Sequence, residues 1–116
     1  MVSESERPAD DVFQMTEERC GETVVLCLIG ELDLATVGSV ERRLADLRRE
    51  RRAVVLDLDR LTFLDSTGIR LVLSAAEDAQ RDGWSFAMTH GSEQVRRVLT
   101  AAGVAERLPY ADPKGT

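Results

Sequence analysis

Ala53-Val54-Val55-Leu56-Asp57-Leu58-Asp59-Arg60-Leu61-Thr62-Phe63-Leu64-Asp65-Ser66-Thr67-Gly68 opens as a run of branched apolar residues and closes on a tetrapeptide suited to starting a helix. Ala53 to Leu58 has the composition of a central strand covered on both faces. Beyond a short apolar segment, Ile69, Val72, Leu73, Ala76 and Ala79 recur at helical spacing, and Gly83 supplies a stop. A helix is therefore predicted from about Ser66. A buried strand feeding a helix is the unit of α/β folds.

The flanking sequence repeats this unit. Val12 to Arg19 alternates weakly, with Phe13 and Met15 on one face, and Gly21-Glu22 offers a turn into the apolar run Thr23 to Ile29. This predicts an opening antiparallel hairpin. After a loop at Gly30 to Asp33, the residues Val37, Val40, Leu44 and Leu47 put an apolar stripe on a helix from about Thr36 to Arg51, with Thr36 as its cap. On the other side, Trp84 to Met88 alternates as a strand, and Val95, Val98, Leu99 and Ala102 form a third helical face that stops at Gly103. Glu106 to Tyr110 is expected to add a short last strand. The sum is one α/β domain over residues 12–110, a mixed central sheet of about four to five strands with helices packed on it. Residues 1–11 and 111–116 lack periodicity and are expected to be mobile tails.

Composition narrows the function classes. A chain of 116 residues buries one core and has no room for two ordinary domains. No apolar run approaches the ~20 residues that span a bilayer, and the first residues are acidic where a secretory signal would be basic and then apolar, so a cytoplasmic protein without membrane contact is expected. The formal net charge of −6 resides mostly in the first 18 residues, where Glu4, Glu6, Asp10, Asp11, Glu17 and Glu18 face only Arg7. The main basic cluster, Arg48, Arg49, Arg51 and Arg52, closes the first predicted helix, where cations complement the dipole. No aromatic residue interleaves with it, so direct nucleic-acid binding is not predicted. Cys20 and Cys27 are too few for a disulfide framework and lack zinc-site spacing, and a hairpin around Gly21 keeps them apart. His90 is the only histidine, which disfavours Ser-His hydrolysis and histidine metal sites.

Ser66 is the residue with chemical potential. At the positive end of a helix, a phosphate on its hydroxyl would meet unpaired backbone N–H groups and a favourable dipole. Ser and Asp are equally the ordinary capping residues for those N–H groups, and local chemistry leaves both alternatives open.

The stretch Gly30-Glu31-Leu32-Asp33-Leu34-Ala35-Thr36, followed at the right separation by Leu56 to Gly68, resembles the STAS family, which includes bacterial anti-sigma factor antagonists. The resemblance runs from about Phe13 to Leu108. It implies that Ser66, after the aspartate of the D-S-[ST]-G motif, is phosphorylated by an anti-sigma factor that is itself a serine kinase, with Thr67 the lesser alternative. It implies that the unmodified protein binds that kinase and frees a sigma factor, that the phosphorylated form lets go, and that a metal-dependent serine phosphatase resets it. The partner surface expected is Asp33, Thr36, Asp65, Ser66, Thr67 and Gly68, provided the first two long strands are parallel neighbours with adjoining loops, with Arg70 added by its spacing from Ser66, where many members of the family carry a small residue. Gly68 either lets a partner approach the serine or allows tight packing of the helix start. Arg70, four residues on, shares the helical face of Ser66 and could pair with its phosphate, meet an acid on the partner, or remain a solvated side chain.

Other classes fit less well. A phosphorelay receiver or a P-loop enzyme needs a lysine in its site, and the only lysine is Lys114. Asp57 and Asp59 lack a third metal ligand. Catalysis by the chain itself is not expected, since hydroxyl and acids stand without a base, an oxyanion hole or a metal, and no cofactor is predicted. A STAS interaction module serving another signalling assembly or a transporter is the alternative.

Overall fold

Valines and leucines on two long parallel strands form the centre of the molecule. In the computed structural model, which describes residues 13–111, four strands run β1 (Phe13–Cys20), β2 (Thr23–Leu32), β3 (Ala53–Leu64) and β4 (Phe86–Met88). Three helices, α1 (Val37–Arg49), α2 (Ser66–Asp82) and α3 (Glu93–Ala101), complete the fold. The sheet order is β1-β2-β3-β4, with β1 antiparallel to β2 and the other two pairings parallel. This is the mixed four-stranded α/β architecture expected from the sequence. The predicted tails fall outside the described residues except for Ala111, which is not free: its N–H donates to the Met88 carbonyl at 2.9 Å.

The hairpin turns at Gly21, whose φ of 64° suits a residue without a side chain. Cys20 pairs with Thr23 at the turn, whereas Cys27 lies opposite Thr16, so the two thiols stay apart and both are free. One face of β2 and β3 contributes Val24, Leu26, Leu28, Leu32, Val54, Leu56, Leu58, Leu61 and Leu64 to a single core. Onto it α1 sets Val37, Val40, Leu44 and Leu47, as its periodicity predicts. On α2 the fully buried positions are Gly68, Leu71, Val72 and Ala75; Ile69, Leu73, Ala76 and Ala79 lie half-buried along its flanks. The stripe is thus rotated from the one read in the sequence, because the helix nestles between α1 and the sheet and buries more than one row.

Both central strands are longer than predicted. β2 runs on to Leu32 and β3 to Leu64, so the supposed loop at Gly30 and the connection after Leu58 are paired backbone. Leu58, Leu61 and Leu64 all face the core at a spacing of three, which a regular strand forbids. Two register shifts, between the pairs Cys27–Asp57 and Ile29–Arg60 and between Gly30–Leu61 and Glu31–Phe63, each insert one extra residue into β3 and restore the phase. Thr62 Oγ1 spans the second shift, donating to the Gly30 carbonyl at 3.0 Å. α3 braces the first: the Ser92 N–H donates to the Leu58 carbonyl at 3.2 Å and its hydroxyl to the Leu61 carbonyl at 2.5 Å.

The expected last strand from Glu106 to Tyr110 is instead a 3₁₀ turn, Ala105–Arg107, followed by one bridge between Met88 and Tyr110. Pro109 accepts from the Met88 N–H but has no N–H of its own, so the ladder cannot extend. Trp84 closes the far end of the sheet by donating from Nε1 to the Arg52 carbonyl at 2.8 Å and stacking on Phe86. Nearby, part of the arginine cluster is paired within the fold: Arg48 with Asp78 and Asp82 of α2, and Arg49 with Asp46. Among the described residues no helix is long and apolar enough to cross a membrane.

Leu61→Ala should destabilise the protein by about 2–5 kcal/mol in denaturant titration, as expected for a fully buried leucine. A loss below about 1 kcal/mol would show that the bulged half of β3 does not belong to the core.

Candidate functional site

The site forms where β2 and β3 end together. Leu32 pairs with Leu64, and the Asp65 N–H donates to the Leu32 carbonyl at 3.2 Å, so the loops after the two strands leave from one point. The first loop is closed by its own polar side chains. Asp33 Oδ1 accepts from the Ala35 N–H at 3.0 Å and the Thr36 N–H at 3.2 Å, while Thr36 Oγ1 accepts from the Asp33 N–H and donates to the Glu31 carbonyl, both at 3.0 Å. Thr36 occupies the cap position of α1, as predicted, but makes no side-chain cap bond to that helix. Its hydroxyl turns back to lock the loop. Asp33 and Thr36 are half-buried; the residues they display are Leu34 and Ala35, with Leu34 76% exposed.

The second loop enters α2 through Asp65, which has extended backbone geometry and caps the helix. Its Oδ1 accepts from the Thr67 N–H at 2.9 Å, the Gly68 N–H at 3.2 Å and the Thr67 hydroxyl at 2.5 Å. The Thr67 hydroxyl, then these backbone N–H groups and that of Leu34, hold the Asp65 carboxyl below its ordinary range against the opposing effect of burial. Two of the N–H groups expected to be open for a phosphate, those of Thr67 and Gly68, are thus taken by the Asp65 carboxylate.

Ser66 stands outside this network. It is the first helical residue and is exposed, whereas Thr67 is half-buried with its hydroxyl committed to Asp65. Of the two hydroxyls, Ser66 is the one presented to solvent. Arg70, also exposed, lies one turn along the same face. Gly68 points inward: a Cβ there would lie 2.5 Å from Leu64 Cδ1 and 3.1 Å from Leu32 Cδ2. Of the two roles considered for it, tight packing of the helix start is the one this geometry supports.

Two residues at this end escaped the sequence reading. Phe63, 46% exposed, precedes the site on β3, and Leu34 crowns the first loop. A leucine inside a turn and an aromatic ring beside a bulge are the signals that could have identified them. Asp57 and Asp59 have hydrogen-bond partners in the backbone: Asp57 accepts from the Asp59 N–H at 3.0 Å, and Asp59 from the Gly91 N–H at 3.2 Å. Among the described residues no group of three metal-ligating side chains converges. His90, exposed in the loop before α3, stacks on Tyr110 with ring centroids 4.2 Å apart.

Residues 14–113 match the STAS domain. The chain belongs to the STAS family. Among its relatives is BtrV of Bordetella bronchiseptica, provisionally named an anti-sigma factor antagonist, 28% identical over 88% of this chain and 89% of that protein. The crystal structure of an anti-sigma factor antagonist from Mycobacterium paratuberculosis superposes with a TM-score of 0.75 over 88% of each chain at 22% identity, a likeness of fold. The anti-sigma factor antagonist SpoIIAA in its unphosphorylated form is 26% identical, with a TM-score of 0.66 over 86% of this chain and 88% of that one; the phosphorylated form of this Bacillus protein matches at 25% and 0.62, over 86% of this chain and 91% of that one.

Asp65→Ala should cost about 0.5–2 kcal/mol of stability at neutral pH, the range for losing a helix cap. Because the folded carboxyl titrates below its ordinary value of 3.8, its contribution is present above that pH and lost as pH falls through the folded value. The gap in stability between wild type and Asp65→Ala should therefore narrow in acid denaturation; a gap that is constant with pH would mean that the carboxylate charge contributes nothing.

Proposed function

We propose that this protein is an anti-sigma factor antagonist that works as a phosphorylation-controlled partner switch. With Ser66 unmodified it binds an anti-sigma factor serine kinase and frees the sigma factor for transcription. Phosphorylation of Ser66 by that kinase releases it, and a metal-dependent serine phosphatase restores the binding form. The observation that carries this reading is the exposed, uncommitted hydroxyl of Ser66 at the junction of the two loops, next to a Thr67 hydroxyl already engaged. The relatives support it by their names, and SpoIIAA by existing in both unphosphorylated and phosphorylated forms.

The physics of release follows from charge. A phosphate brings about −1.5 to −2 at neutral pH, close to Asp65 and to the loop holding Asp33. A tenfold loss of affinity needs only about 1.4 kcal/mol, within reach of like-charge repulsion and desolvation at an interface. The cap hydrogen bonds of Asp65 do not involve the Ser66 side chain, so modification leaves the fold standing. Arg70, one turn away, serves as counter-charge to the phosphate or as a contact for the partner.

Wild type, Ser66→Ala and Ser66→Asp used as baits in lysate of the source organism should separate cleanly. A serine-kinase anti-sigma factor should be recovered with the first two and lost with the third, and the recovered kinase with ATP should label Ser66, leaving Thr67 unlabelled by peptide mapping. Equal recovery by all three, or recovery of no kinase, would favour an interaction module of another assembly. Ser66→Asp should melt within about ten degrees of wild type. Arg70→Ala should change either the affinity for the recovered kinase or the rate of dephosphorylation; unchanged values for both would make Arg70 a bystander.

A further inference from the structure

We propose that Leu34 and Phe63 are the apolar anchors by which this protein holds its anti-sigma factor. The proposal rests on the partner-switch reading and adds the source of its affinity. Among the described residues these are the large apolar side chains left exposed, at 76% and 46%, and both lie on the segments that meet at the Leu32–Leu64 pair just before Ser66. Leu34 sits on the loop that leaves the sheet at the Leu32–Leu64 pair, and Phe63 lies two residues before Asp65, opposite Glu31. Neither exposure is accidental slack. The Asp33–Thr36 hydrogen bonds fix the turn that displays Leu34. The second shift in β3 keeps Leu61 and Leu64 inward and leaves Phe63 outward between them.

Binding energy at interfaces concentrates in a few apolar and aromatic side chains that become fully desolvated, while surrounding charges govern encounter and specificity. Here the anchors are bordered by Glu31, Asp33 and Asp65, with Arg70 the positive neighbour. A second copy docking face to face would set these carboxylates against their own kind. The surface instead fits a different protein, an anti-sigma factor offering an apolar cleft edged by basic side chains. In that arrangement a phosphate on Ser66 must be stripped of water beside the apolar contact, a heavy penalty for a doubly charged group. Affinity is apolar in origin and control is electrostatic.

The test uses the anti-sigma factor recovered with wild type in the capture experiment, expressed and purified, and titrated calorimetrically against the full-length chain. Leu34→Ser and Phe63→Thr should each weaken binding by about tenfold or more, and the double variant by about a hundredfold. Leu34→Met and Phe63→Tyr should stay within about threefold, and thermal melting should show every variant folded. The factor lost on truncation should be the same at about 0.05 M and about 0.5 M NaCl, since apolar burial is not screened. Binding by both truncated variants within about twofold of wild type would overturn the proposal. So would a loss that disappears at high salt, or self-association that the substitutions abolish while anti-sigma factor binding persists. If wild type recovers no anti-sigma factor, the partner-switch reading falls and takes this proposal with it. If wild type binds and Ser66→Asp releases while the anchor variants bind normally, the anchors alone are wrong.

Discussion

The parallel pairing of β2 with β3 is the constraint on which everything else depends. It builds the core face, and by ending at the Leu32–Leu64 pair it delivers two loops to one point. The Asp65 N–H to Leu32 carbonyl bond extends that pairing by one step past the last strand residue. Gly68 then lets α2 settle against the same two leucines. The site is therefore made of backbone ends whose relative position is fixed by the most buried part of the protein, and this is the arrangement that open α/β sheets favour for binding.

Much of this was legible in the sequence because hydrophobic period follows structure. The α1 stripe, the hairpin at Gly21, the Gly83 stop and the start of α2 at Ser66 were all readable. Leu58, Leu61 and Leu64 were not, since a spacing of three in a strand becomes intelligible only once two extra residues are known to be absorbed as bulges. The expected last strand fails at Pro109, which has no N–H to extend a ladder beyond the single Met88–Tyr110 bridge. Asp33, Thr36, Asp65, Ser66 and Thr67 were expected to come together and do lie at the shared end of β2 and β3, but their division of labour was not readable. Five short polar side chains beside strand ends can each cap, close a turn or stand free, and only the tertiary placement of the loops shows that Asp33, Thr36, Asp65 and Thr67 build the frame while Ser66 remains outside it.

That division has energetic meaning. Committed groups such as the Thr67 hydroxyl and the Asp65 carboxylate stabilise the local fold, and changing them alters the support as well as the surface. Ser66 carries no such duty. A residue free of structural obligation can change charge repeatedly without drawing on the small margin by which a domain of this size is stable. The same holds at the opposite end of the sheet, where Arg48 and its acidic partners join α1 to α2.

Trp84, the chain's only tryptophan, is held by the Arg52 carbonyl at the end of the sheet remote from Ser66. The length of the β2–β3 pair separates the two, roughly 30 Å at the usual rise per strand residue, since two residues of β3 are taken up in its bulges. Its indole is thus an intrinsic optical probe of global unfolding, in an environment that docking at the serine end does not touch. Emission from this chain distinguishes loss of structure from occupancy of the site without any added label.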